Sequence, residues 1–223
     1  MYEINIDKGL KYLKQNDRGM RRLIEEFETP IFIKDINYFE ALVRSIVYQQ
    51  LSGKAAATIH KRFKGLFNKD QNLSPSIVLE KSHDELSSVG LSSQKASYIH
   101  NIANAFKAEI VPDNIETISD DKVIECLTTI KGVGLWTAQM FLMFTLNRPD
   151  VFPVTDLGIQ KGFQLYFQLD ELPKPDLMIK KAKPWVPYRT LASWYLWRLV
   201  EGPFEWYFKI LFPRFIRNRI LMT

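Results

Sequence analysis

Residues 130–140 read IKGVGLWTAQM. Gly132 and Gly134 bracket Val133, Trp136 follows two residues later, and an apolar run begins at Leu135. Glycine inside a helix costs about 1 kcal/mol against alanine, so the pair marks a break: one helix ends, a tight turn intervenes, and a second helix starts. The main-chain N–H groups of such a turn, and of the first residues after it, lack partners within the helix and point outward as an anion site. Without Cβ atoms, Gly132 and Gly134 let a phosphate oxygen approach the main chain, with Val133 packed beneath. A plain connection between two helices, with Trp136 as a core aromatic, accounts for the same residues. The turn alone leaves both readings open.

Outward from this turn the chain reads as helix almost throughout. Leu135 to Leu146 is apolar on nearly all sides, the pattern of a buried helix. Upstream, Asp120 is expected to cap a helix through Thr128 and Ser92 one through Ala108. Residues 83–88 and 77–80 read as short helices, and Ser52 as the cap of an alanine-rich helix, 53–67. Residues 38–49 place Phe39, Leu42, Val43, Ile46 and Val47 at helical spacing. Near the N-terminus, Asp7 and Asp17 are expected caps for helices ending at Gln15 and Phe27. Downstream, Asp156 precedes a helix to Gln168, followed by helices over 176–181, 188–200 and 204–212. No segment alternates as a strand with a hairpin signal, and no repeat appears. The predicted fold class is all-α.

Composition bounds the chemistry. The 223 residues can bury a substantial core, and 46% hydrophobic with 25% charged residues is a globular balance. No apolar run reaches membrane-span length, and MYEINIDKGLKYL lacks the apolar core of a signal peptide. A single cysteine, Cys126, excludes an internal disulfide and any four-cysteine metal or iron–sulfur site. His60, His83 and His100 are too scattered for zinc spacing. A net charge of +5 leans toward an anionic partner.

Four separated stretches then carry a resemblance. ALVRSIVYQQLSGKAAATIHKRF, LTTIKGVGLWTAQM, FPVTDLG and PWVPYRTLASWYLW, in that order, resemble the helix-hairpin-helix DNA glycosylases with a Gly/Pro-rich loop and a catalytic aspartate (HhH-GPD), in the 3-methyladenine or alkylated-base branch. The resemblance spans about Phe39 to Trp197; GPFEWYFKILFPRFIRNRI beyond it matches no family pattern. It implies one glycosylase domain over 1–223, a two-lobed helical bundle. Residues 36–147 would form the central lobe with the hairpin, 1–35 and 148–223 the second, and a cleft between them the active site. The chain is expected to lack the extra N-terminal β domain of some relatives. The implied activity is hydrolysis of the N-glycosidic bond of alkylated purines in double-stranded DNA after base flipping, the opening step of base excision repair. The resemblance implies a monomer, no membrane association, and action at the prokaryotic nucleoid or in the eukaryotic nucleus. No cofactor and no catalytic metal are expected; a monovalent cation held by the hairpin's main-chain carbonyls is the one ion it allows.

The resemblance also assigns residues. Asp156, 22 positions after Gly134, matches the catalytic aspartate. Breaking the glycosidic bond builds positive charge on C1′ and the ring oxygen, which a nearby carboxylate stabilises while orienting or deprotonating water. A helix N-terminus favours negative charge there; an N-cap role alone would also place an aspartate at this position. At Trp136, strand-cleaving relatives carry a lysine that forms a Schiff base; with tryptophan the reaction should stop at base release. Its electron-rich face suits a cationic methylated purine, with Met140 one turn on and Trp197 as further pocket walls; ordinary core packing is the plain reading of both. A charged leaving base needs no second acid, unlike ordinary glycoside hydrolysis. Gln50 matches the residue that fills the gap left by the flipped base, with Leu51 as the alternative wedge; a polar loop residue is the plain reading. Lys131 and Lys54 could each meet a phosphate or simply be solvated. A non-catalytic DNA-binding protein and a glycosylase for other damaged or mismatched bases are the competing functions.

Overall fold

The computed structural model describes residues 3–51, 53–67 and 72–200. Among these residues there are twelve α-helices: α1 (Ile6–Asn16), α2 (Arg18–Glu26), α3 (Tyr38–Tyr48), α4 (Gly53–Lys64), α5 (Pro75–Leu79), α6 (His83–Ser88), α7 (Ser93–Lys107), α8 (Asp120–Thr128), α9 (Leu135–Phe144), α10 (Leu157–Phe167), α11 (Pro175–Lys181) and α12 (Arg189–Leu199). No strand occurs among the described residues. The expected cap at Ser52, the expected helix over 204–212 and the rest of 201–223 lie outside them.

Local chemistry explains most helix starts. The side chains of Asp17, Ser92 and Asp156 accept main-chain N–H bonds in the first turns of α2, α7 and α10. Ser82 and Glu85 form a reciprocal capping box on α6. Two expected caps are displaced. Asn5, whose side chain accepts from Lys8 N–H, caps α1, and Asp7 sits in the first turn, where it favours the helix dipole instead. At α8 the N-cap is Ser119, and Asp120 is the first helical residue.

The chain divides into two compact units. One comprises, among the described residues, 3–34 and 142–200, and the other 35–141, so the division falls inside α9, after Phe141. In the 35–141 unit, α7 is the central helix, packed by α3, α5 and α6, with α4 against α3. Leu42, Ile46 and Val47 of α3 and Ile99 and Ile102 of α7 are fully buried. In the other unit α10 packs on α12, which also receives α1 and α2. Asp17 serves as a hub there: Oδ1 accepts from the N–H groups of Gly19 and Met20 and from the Tyr166 hydroxyl, and Oδ2 from the Trp185 indole at 2.8 Å. Burial and the Asp17 carboxylate hold the Tyr166 hydroxyl well above the ordinary tyrosine range.

His60 on α4 gives the 35–141 unit an acid-sensitive point. Burial and the Arg44 guanidinium push its imidazole down to about 4 against the partial opposition of Glu40. Between that value and the ordinary histidine value near 6.5 the unfolded chain binds more protons than the folded one. Stability therefore falls as pH drops through this window and is flat above it. Urea unfolding of wild type and His60→Gln across pH 4 to 7 checks this: the variant should show a smaller loss on acidification, and parallel curves would contradict the assignment.

Candidate active site

The hairpin lies between α8 and α9. The Val133 N–H donates to the Ile130 carbonyl at 2.9 Å, closing the turn, and the Gly134 carbonyl accepts the first bond of α9 from Ala138 at 3.0 Å. The amides of Gly134 and Leu135 thus precede the helical ladder. Val133 is 4% exposed and packs beneath the turn, while Lys131 is exposed. The two glycines have different physical reasons. Gly132 has φ +109°, and a Cβ there would lie 2.3 Å from Cγ of Tyr98, so both the turn and the ring of α7 demand glycine. At Gly134 a Cβ would meet no protein atom within 4 Å, and its φ is not in the left-handed region. Nothing within the fold requires glycine at 134. Helix α7 also supports the turn through Asn101, whose amide donates to the Lys131 carbonyl at 3.0 Å.

The loop after α3 belongs to the same unit. Gln50 has φ 56° and is exposed; Leu51 is half-buried. A left-handed φ at a non-glycine residue is uncommon, and here it turns Gln50 away from the helix it follows. The side-chain amide of the preceding Gln49 donates to the Gly132 carbonyl at 3.3 Å and to Thr137 Oγ1 at 3.2 Å. Lys95 of α7 donates to the carbonyls of Val47 (2.9 Å) and Gln49 (2.6 Å).

Asp156 lies in the other unit, half-buried at the N-cap of α10. Its Oδ1 accepts from Ile159 N–H at 2.8 Å and from the Trp197 indole N–H at 2.9 Å. The cap is therefore real, and it fixes the carboxylate rather than competing with a chemical role. Gly158 makes the approach possible, since a Cβ there would stand 2.8 Å from the Trp197 ring. Trp197, on α12, is 4% exposed and packs against Phe144 with ring centroids 6.1 Å apart. Its polar edge thus engages Asp156 while its face is covered. Met140 is 2% exposed, whereas Trp136, one turn earlier on α9, is half-buried.

Sequence reading missed Gln49, Lys95, Tyr98, Asn101 and Gly158. All but Gly158 act on residues at least 30 positions away, and no local pattern announces them. Gly158 beside Asp156 carried a faint signal, a glycine in the first turn of a helix. Among the described residues no group of three or more His, Cys, Asp or Glu side chains could hold a metal ion, and no helix is long and apolar enough to cross a membrane.

The turn with its open glycine and the helix-capping aspartate fixed by an indole thus stand on described residues that hold helices and no strand. The HhH-GPD superfamily of base excision DNA repair proteins matches residues 43–187, and the chain belongs to that family. It is 33% identical over 191 residues to DNA-3-methyladenine glycosylase 1 of Schizosaccharomyces pombe, covering 85% of this chain and 84% of that protein. Among solved structures, the S. pombe 3-methyladenine DNA glycosylase in complex with abasic DNA is similar with a TM-score of 0.78 at 33% identity, covering 86% and 95% of the two chains. A DNA-3-methyladenine glycosidase from Bacillus halodurans is similar with a TM-score of 0.76 at 35% identity, covering 85% and 88%.

Proposed function

We propose that this chain is a monofunctional DNA glycosylase that hydrolyses the N-glycosidic bond of alkylated purines such as 3-methyladenine and 7-methylguanine in double-stranded DNA. The observation that carries the reading is the fixed carboxylate of Asp156, held by a main-chain N–H and the Trp197 indole. A carboxylate whose orientation is set before the reaction stabilises the developing sugar cation without reorganising, and it can orient the attacking water. The leaving base is already cationic, so departure needs no separate acid. Trp136 supplies no amine, which leaves water as the nucleophile. Its half-buried indole is the proposed recognition surface for the cationic base; Met140 and Trp197 are nearly fully covered.

Gln50, exposed on a left-handed turn, is the proposed wedge, with the half-buried Leu51 as the alternative. Gly132, Val133 and Gly134 form the proposed phosphate contact, with Lys131 exposed at its edge. The hairpin carbonyls remain the proposed seat of a monovalent cation. Those of Ile130, Lys131 and Gly132 each accept one protein hydrogen bond, which leaves a second lone pair on each oxygen.

Incubating the protein with methylated duplex DNA and separating the freed bases by chromatography tests the reading. Free 3-methyladenine and 7-methylguanine are expected, and borohydride should trap no protein–DNA adduct. An efficient adduct would overturn the hydrolytic mechanism. DNA binding without any freed base would overturn catalysis and leave a binding protein.

A further inference from the structure

Helix α3 ends in a way its own sequence does not explain. Its last carbonyls, orphaned by the end of the ladder, are taken by a charged group from another helix: Lys95 Nζ bonds both Val47 O and Gln49 O. Gln49 in turn reaches across 83 residues to Gly132 and across 88 to Thr137. One residue thus has its main chain clamped to α7 and its side chain clamped to the hairpin. The next residue is Gln50, exposed and left-handed. Tyr98 and Asn101, on the same helix as Lys95, bear on Gly132 and Lys131. The Lys95 side chain is half-buried between these carbonyls and its own helix, and that burial lowers its proton affinity.

We propose that Gln49, anchored by Lys95, is a positioning residue that locks the wedge loop to the hairpin, so that Gln50 enters the duplex in fixed register with the phosphate held at the turn. This inference rests on the glycosylase reading and deepens it. The staple touches no reacting atom, and the hairpin retains its own support from Tyr98 and Asn101. Its loss should therefore slow extrusion of the base while leaving bond cleavage and general DNA affinity intact. Extrusion of a paired base breaks pairing and stacking, and that cost is least for a base already unpaired. The staple should matter most for a paired lesion.

The test uses Gln49→Met, which keeps the side-chain length and removes both donors, and Lys95→Met, which keeps the stem. Single-turnover release of 7-methylguanine is measured from two duplexes, one with the lesion paired to cytosine and one with it in a single-nucleotide bulge. Each variant is expected to slow the paired substrate roughly tenfold, the factor for loss of one or two ordinary hydrogen bonds, and the bulged one by less than about twofold. Affinity for undamaged duplex should stay within about twofold of wild type, and the double variant should be no slower than the single ones. Equal slowing of both substrates, or a fall in affinity for undamaged duplex matching the rate loss, would overturn the proposal and make the staple a folding element only. A wild type that frees no base from either duplex is a different result. It removes the glycosylase reading itself, and the staple's role falls with it.

Discussion

Asp156→Asn should reduce base release by roughly a thousandfold, the scale on which removing one preorganised electrostatic stabiliser acts, while the protein still folds and binds damaged DNA. The substitution is chosen for what it retains. Asparagine is as good an N-cap as aspartate, and its carbonyl oxygen can accept from both Ile159 N–H and the Trp197 indole, the two donors that hold Asp156. Helix α10 therefore starts normally, and only the negative charge is lost. Single-turnover release of 7-methylguanine, with thermal unfolding as the control for folding, measures the outcome. A rate above a tenth of wild type would reduce Asp156 to its capping role. Trp197→Phe acts on the same oxygen from the other side. It keeps most of the ring that packs on Phe144 and removes one donor, so a loss of about tenfold is expected.

Gly134→Arg should weaken binding to every duplex, damaged or not, by at least about tenfold. Electrostatics alone argue the other way, because an added positive charge raises general affinity for DNA. A fall in affinity therefore means that the side chain blocks a close main-chain approach by phosphate. The protein itself gives no reason for a loss: a Cβ at 134 meets nothing within 4 Å, so stability should stay within about 0.5 kcal/mol of wild type. Fluorescence anisotropy with an undamaged and a methylated duplex, alongside urea unfolding, separates the two effects. Unchanged or tighter binding would remove the hairpin from the DNA interface. The neighbouring glycine could not serve this test, since Tyr98 fills the space a Cβ at 132 would take and any substitution there perturbs the fold.

The sequence by itself determined those features whose causes lie within four residues along the chain. Helical spacing in α3, the apolar girth of α9, the caps at Asp17, Ser92 and Asp156, and the break at 131–134 are all local, because a cap bonds an amide two or three residues on and a helix face repeats every three or four. Even here competition between adjacent candidates was not legible: Asn5 displaced Asp7, and Ser119 displaced Asp120. The proposed roles of Asp156, Trp136 and the hairpin glycines rest on the order and spacing of four motifs in the sequence. What each of them touches was decided only by tertiary structure. Asp156 is oriented by an indole 41 residues away, Gly132 is glycine because of a ring on α7, and Gln50 is presented by a lysine and a glutamine that no pattern singles out. Such contacts join helices that meet through packing of their apolar faces, and burial of an apolar face is non-directional. The hydrophobic pattern therefore brings the helices together, and the particular polar groups that end up opposite one another follow from the packing geometry, which a linear sequence does not display.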